Sequence, residues 1–266
     1  MNFKKISEGE TNLFLYFRPH YHFNHAQFLM NYFLKLLRIF FMGLLLIFLF
    51  LGGSYFYLNK PLPTGEKGAA ADQLANQMLE AMDYEAYKEL NYIEWTFSSL
   101  GRKRHYKWQK NKGLCTVSWD SISVKLNTTR IKKSTVSVNG LPYVDKRKDE
   151  FIRLAEAKFN NDTFWLVAPY KVFDAGVERR LVRVNDSENA LLVTYTSGGS
   201  TPGDSYLWYL DENQRPLGFE MWVSIVPIGG LHATWNQWEK TKNGAYLPLS
   251  HKLLSLDLSI ENLRTN

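Results

Sequence analysis

A single cysteine, Cys115, stands in a chain of 266 residues, so no intramolecular disulfide can form. A body of about 200 residues buries on the order of 70% of its unfolded surface and needs no such staple. The count is compatible with an oxidising compartment without establishing one. Phosphate-binding and nucleophile signatures are missing too: no glycine-rich stretch has P-loop spacing, and none forms a G-x-S-x-G elbow. Histidines cluster only at His20, His22 and His25, with no acidic or cysteine partner nearby, so neither a metal nor a cofactor is expected. No repeat of fixed period runs through the chain. Nor is it short of apolar residues: 45% hydrophobic and 15% aromatic content excludes wholesale disorder.

Charge of one sign is scarce once it is located. The formal net charge is +6 and the isoelectric point about 9.2, values that invite a polyanion as partner. Residues 1–60, however, carry six basic groups (Lys4, Lys5, Arg18, Lys35, Arg38 and Lys60) against Glu8 and Glu10, a net of +4. The remaining 206 residues hold 26 basic and 24 acidic groups and keep only +2. Two thirds of the excess thus flanks one apolar segment, where positive-inside bias explains it, and no nucleic-acid partner is expected. The local run from Arg102 to Trp108 is basic with interleaved aromatics. Single-stranded nucleic acid or anionic lipid headgroups suit such a pattern; the solvated face of a strand suits it better.

The long uncharged run at 39–58 changes the class of the protein. Its 20 residues, at ~1.5 Å each in a helix, span roughly the 30 Å hydrocarbon core. Lys35 and Arg38 precede it and Lys60 follows. Counting basic groups on each side predicts a cytoplasmic N-terminus, a single pass through the inner membrane and a C-terminal body in the periplasm. Tyr55, Phe56 and Tyr57 would form an aromatic collar at the outer interface. Lipoprotein processing needs a cysteine just after the apolar core, and Ser54 stands there, which excludes lipidation at that point. Cleavage after Gly53 or Ser54 is the competing reading; the apolar core exceeds the usual h-region of about 7–15 residues, which favours an uncleaved signal anchor. Residues 1–29 look unlike the rest, and 30–38 would make a normal short n-region, so Met30 is a candidate for the true start.

Residues 59–68 read as a linker, since Pro61, Pro63, Gly65 and Gly68 deny it a regular element. Ala70, Leu74, Met78, Ala81 and Met82 then repeat at helical spacing and predict an amphipathic helix over 70–82. After Leu90 the period becomes two. Ile93, Trp95 and Phe97 alternate with polar residues, as do Tyr106 and Trp108, then Cys115, Val117 and Trp119, then Ile122, Val124 and Leu126. Gly101, Gly113 and Gly140 mark hairpin turns. A helix over 146–159, with Phe151, Leu154, Ala155 and Phe159 on one face, is expected to stop at Asn160, Asn161 and Asp162. Strands are expected again at 177–184, 190–196, 205–210, 219–225, 233–239 and 247–258. The fold class is therefore α+β: a large curved antiparallel sheet, an incomplete β-barrel, lidded by helices and preceded by one transmembrane helix. The domains are a cytoplasmic segment 1–38, an anchor 39–58, a linker 59–68 and an extracytoplasmic body 69–266.

All eight tryptophans lie in the sheet region, several in the apolar phase of their strands. Such a sheet either fills its interior solidly or walls a cavity with aromatics, and strongly curved sheets tend to enclose volume. The cavity candidates are Trp95, Phe97, Trp108, Val117, Trp119, Trp165, Trp208 and Trp222. In the loop 197–205, Gly198, Gly199, Thr201, Gly203 and Asp204 let backbone amides converge on an anion or ligand oxygen, or make a plain hairpin loop. Ser200 or Ser205 with His232 and Asp204 supplies nucleophile, base and acid for a hydrolase, without any spacing signature. The aspartate of Asn161-Asp162, with Asp204, would make a carboxylate pair for glycoside hydrolysis on no better grounds. Ile228 and Leu231, at an apolar turn over 226–231, would dip into a bilayer, meet a partner or fold back onto the core.

The order of elements carries a resemblance. The helix at 70–82, the Trp95 strand with its hairpins, the helix at 146–159, the segment Asn161-Asp-Thr-Phe-Trp-Leu-Val-Ala-Pro169 and the closing hairpins together resemble the LolA/LolB-like lipoprotein-carrier superfamily over about residues 69–260. The strings 164–169 and 198–208 are also similar to those of a set of bacterial envelope proteins. The superfamily implies an incomplete barrel lidded by helices, an apolar cavity for acyl chains and no catalysis. The functional arginine of its soluble carriers matches no single position here, and a membrane anchor replaces the freely diffusing or lipidated form. The leading expectation is a membrane-anchored, non-catalytic binder of a lipid or lipoprotein. An envelope protein-protein interaction module with a filled core is the first alternative, and a hydrolase centred on Asp204 and His232 the second.

Overall fold

A computed structural model describes residues 25–185, 188–197 and 201–266. His20, His22 and the loop candidates Gly198, Gly199 and Ser200 lie outside the described residues, as does the side chain of His25. The chain divides into two units, Met1–Ser54 and Tyr55–Asn266. Most of helix α1 (His25–Leu58) belongs to the first. It begins upstream of residue 39 because Leu29 and Phe33, before Lys35, and Leu36 and Leu37, between Lys35 and Arg38, continue the apolar run. Its stretch Gln27–Leu58 has a mean hydropathy of 2.4 and is long and apolar enough to cross a membrane. A signal sequence near an N-terminus passes the same test.

The second unit is an α+β fold built on fourteen antiparallel strands that do not close. Helix α2 (Ala69–Ala81) follows the predicted spacing and buries Ala71, Leu74, Ala75, Met78 and Leu79. A short helix α3 (Tyr84–Glu89) follows, its first turn capped by Asp83, which accepts the Ala86 N–H at 3.1 Å. Strands β1 (Tyr92–Ser99), β2 (Arg102–Gln109), β3 (Leu114–Trp119), β4 (Ile122–Asn127), β5 (Thr135–Val138) and β6 (Leu141–Tyr143) form a meander. Its turns fall where Gly101, Gly113 and Gly140 marked them. Gly113 holds φ 61°, and a Cβ there would lie 3.0 Å from Thr129 Cγ2, so both conformation and space call for glycine.

Helix α4 (Lys148–Val167) corrects one expectation: Asn160, Asn161 and Asp162 do not stop it. Trp165, Leu166 and Val167 prolong the buried stripe. The Asp162 carboxylate, free to compete for backbone amides in a turn, is instead taken up by side chains of β2. After a 3-10 turn at Ala168–Lys171 come β7 (Val177–Arg183), β8 (Asn189–Tyr195), β9 (Ser205–Leu210), β10 (Pro216–Trp222), β11 (Leu231–Thr234), β12 (Asn236–Lys240), β13 (Tyr246–Leu253) and β14 (Leu256–Thr265). The expected strands 233–239 and 247–258 are thus each two. Trp235 separates β11 from β12, and Leu254, at φ 55°, turns β13 into β14.

The strand order is β6-β5-β4-β3-β2-β1-β14-β13-β11-β10-β9-β8-β7, with β12 added beside β13. The N-terminal meander and the C-terminal strands join at β1 and β14, through pairs such as Phe97 with Ile260 and Ser99 with Leu258. The main core lies on the face covered by α2 and α4. A smaller cluster of Val182, Ala190, Leu192 and Leu207 forms apart from it, with Tyr209 and Trp222 packed against it. Residues 59–66 are fastened to the same strands. Asn59 Oδ1 accepts the Gly229 N–H (2.7 Å), the Lys60 N–H donates to Gly229 O (3.0 Å), and Trp222 Nε1 donates to Lys60 O (2.8 Å). Glu66 and Leu181 exchange backbone bonds of 2.9 and 2.8 Å as an isolated antiparallel bridge.

Candidate functional site

The inward phases of the strands converge on α4. On the meander side, Trp95 stacks on Tyr106 at 4.6 Å and meets Trp108 edge-on at 6.5 Å, and Trp108 meets Phe159 of α4 at 5.4 Å. On the far side, Trp165 of α4 stacks on Trp235 at 5.8 Å, and Trp235 meets Trp208 at 5.0 Å. Phe164 reaches Tyr206 at 4.6 Å, and Trp208 meets Phe219 at 4.9 Å. Offset and edge-to-face contacts of this kind add about 0.5–1.5 kcal/mol each beyond burial.

The site residues named from the sequence divide accordingly. Trp95, Phe97, Trp108, Val117, Trp165 and Trp208 are buried together in the main core. Trp119 is half-buried at its edge, beneath the ammonium of Lys158. Trp222 packs with the separate cluster of Val182 and Leu207 and binds Lys60 O, away from the others. The interior is well filled but not fully satisfied: Nε1 of Trp95, Trp208 and Trp235 and Oγ1 of Thr163 are buried without a hydrogen-bond partner.

Asp204 is buried and engaged, accepting from Thr201 Oγ1 of its own loop and from the N–H of Ser224, beyond β10, at 2.9 Å. The Gly203 N–H donates to Tyr195 O at 2.7 Å. Ser205 Oγ shares a 2.9 Å bond with Thr194 Oγ1, and His232 is exposed on β11. Among the described residues no hydrogen bond joins Ser205, His232 and Asp204. Ile228 and Leu231 are each half-buried, and Leu231 packs against the core. The intervening Gly229 and Gly230 lie against Lys60.

One constellation was not anticipated. Asp162, 1% exposed on α4, accepts Nε and Nη2 of Arg104 at 2.5 and 3.1 Å and the Tyr106 hydroxyl at 2.5 Å. Burial and the Asp162 charge push the Tyr106 hydroxyl well above the usual tyrosine range. The bonds fasten α4 to β2 through a low-dielectric contact. A signal for it exists in the sequence: Arg104 shares the inward phase of Tyr106 and Trp108, and Asp162 lies on the Phe159–Leu166 stripe. A charge in an apolar phase needs a buried partner of opposite sign. Deeper in, His251 on β13 is 2% exposed against Trp235 and Trp165, and its Nδ1–H donates to Thr234 O at 3.2 Å. Burial pushes its pKa down to about 4 against the pull of the Thr234 and Trp165 carbonyls.

No protein-family model matches the chain, and no curated protein matches it. Among solved structures, it is similar to a DUF1329 family protein from Desulfovibrio piger at 8% identity and a TM-score of 0.38, covering 74% of this chain and 93% of that one. It is also similar to a domain from Vibrio parahaemolyticus assigned to outer membrane lipoprotein sorting, at 11% identity and a TM-score of 0.38, covering 72% and 93%.

Proposed function

We propose that the β-rich body is a non-catalytic binder of a lipid or other apolar ligand, anchored in the inner membrane by α1 with the body in the periplasm. The ligand enters between α4 and a sheet curved into a half-barrel. The observation that carries this reading is the set of unpaired donors in an otherwise apolar interior, on Trp95, Trp208, Trp235 and Thr163. An orphaned buried donor costs about 1–3 kcal/mol, a cost that purely apolar side chains would not carry. Indoles suit an interior that also meets polar atoms, such as the ester oxygens of a lipid.

Curvature is supported by reach. Between Phe151, which meets Tyr143 of β6, and Phe164, which meets Tyr206 of β9, α4 advances 13 residues, or about 20 Å. The ten inter-strand steps from β6 to β9 would cover about 48 Å in a flat sheet. Energetics allow the exchange. Lifting α4 exposes Phe151, Ile152, Phe159, Trp165 and Leu166 at about 2 kcal/mol each, and an acyl chain regains about 0.8 kcal/mol per buried CH₂. Roughly twelve methylenes offset the apolar part.

Native mass spectrometry of the full chain released from membranes into mild detergent, with lipid extraction, tests the proposal. A bound lipid mass is expected. A clean apo mass, with no displacement of an apolar dye, overturns it. The tight packing of Trp95, Trp208 and Trp235, each under 2% exposed, favours a second reading, an envelope protein-protein interaction module with a filled core. An apo mass with a co-purifying partner selects that one.

A further inference from the structure

A depression lies at the rim of the meander, between the β1–β2 tip, the β3–β4 tip and α4, with a volume of about 730 Å³. That is within the range of ordinary ligand pockets. Four cations line it. Arg102 and Arg104, two residues apart in the same phase of β2, enter from the sheet, Lys158 from α4 and Lys103 from the lip. Only two of the four are neutralised by a close carboxylate. Lys103 pairs with Glu261 at 2.6 Å and Arg104 with Asp162. Lys158 instead lies over the ring of Trp119 at 5.4 Å, and Arg102 has no ion-pair partner among the described residues. Among the described residues Asp120 is the sole carboxylate of the lining. Burial, then the charges of Arg104 and Arg102, hold the Lys158 ammonium below its ordinary value against Asp162 and Asp120. Like charges gathered in a cleft with an apolar wall focus a positive potential that an anion relieves.

We propose that this cleft binds a phosphate group, with Arg102 and Lys158 as its ligands and Trp119 as the apolar wall beside it. The guanidinium fork of Arg102 matches two phosphate oxygens, and the ammonium of Lys158 acts as a point charge. The group is either that of an anionic phospholipid or a free phosphate ester, since both present the same oxygens. This site is independent of the apolar-ligand reading: the phosphate titration speaks to the cleft, and bound lipid mass to the interior.

Isothermal titration of the full chain in uncharged detergent micelles tests it, with inorganic phosphate in one arm and short-chain phosphatidylglycerol in the other. The double variant Arg102→Gln/Lys158→Gln is expected to weaken binding at least tenfold. Arg102→Gln alone, at an exposed position, should give an intermediate loss. Lys132→Gln/Lys133→Gln, an equal change of charge on exposed lysines outside the cleft, should leave affinity unchanged. Binding in both arms, lost in the cleft variants, supports a phosphate site that takes the free ion. Binding of phosphatidylglycerol alone, lost in the same variants, supports the site with a lipid as its source. No binding in either arm, or an equal loss in the lysine control, overturns the proposal.

Discussion

His251→Gln is expected to flatten the acid side of the protein's stability curve. The imidazole is buried beneath Trp165 and Trp235, and burial holds its pKa at about 4, whereas in the unfolded chain it titrates near 6.5. Between these values the unfolded state binds a proton that the folded state refuses, so stability rises with pH across this window. The contribution is fully present above about pH 6.5 and is lost progressively as pH falls toward 4. A shift of about 2.5 units is worth about 3 kcal/mol at its limit and about 2 kcal/mol by pH 5. Glutamine does not titrate, and its amide keeps a donor for Thr234 O, the partner of Nδ1 in the native protein. Urea unfolding of the full chain in detergent, run at about pH 7.5, 6 and 5, measures the difference between the two proteins. Native stability should fall by about 2 kcal/mol more than that of the variant between the first and last of these. Parallel pH profiles would refute the placement of His251 in a dry interior.

Three further outcomes follow from named contacts. Asp162→Ala leaves Arg104 and Tyr106 facing each other without their shared acceptor and should cost about 3–5 kcal/mol by chemical denaturation; adding Arg104→Met should recover part of that loss. Gly229→Ala places a Cβ 2.3 Å from Trp222 Cδ1 and 2.7 Å from Lys60 O, so the bond between residues 59–60 and the sheet must yield. Limited proteolysis should then cut within 59–66 faster than in the native chain. Burial pushes the Cys115 thiol well above its ordinary range, so Ellman's reagent should label it slowly in the folded protein and completely in urea.

What the sequence revealed depended on whether an element announces itself by period. Strands β2 to β4 alternate because one face meets the core and the other water, and the turns on either side of β2 carry Gly101 and Gly113 at positive φ, so those ends were legible, whereas the β3–β4 turn rests on Asp120 at φ 48°. Helix α2 was legible for the same reason at a different spacing. The failures at Asp162 and at residues 59–66 share a cause: a local signal against regular structure was answered from far away in sequence. Asp162 reads as a helix stop until Arg104, 58 residues earlier, is brought against it. Leu254 carries no turn chemistry, and its left-handed turn is imposed by the ladder on either side of it, where Leu253 pairs with Leu256. Residues 59–66 read as a linker because prolines and glycines forbid a helix, yet they do not forbid the backbone bonds to Gly229 and Leu181.

The interior poses the same problem in a sharper form. Eight tryptophans in a body of this size declare that rings will be buried, but whether they fill the space or wall a cavity depends on what the intervening helix brings. Here α4 brings Phe159, Phe164 and Trp165, which close the gap between the two aromatic groups. The same helix is fastened through a buried ion pair rather than through apolar packing alone, and apolar replacements at such positions are often as stable or more so. An ion pair is therefore a poor choice for permanence. It is a better one for a contact that must release cleanly, because water solvates both charges once they part. On that argument the Arg104–Asp162 contact, rather than the number of rings around it, decides between a filled core and a binding site. Acyl-ligand affinity should rise in any Asp162 variant that still folds, and unchanged affinity would leave the filled core as the better description.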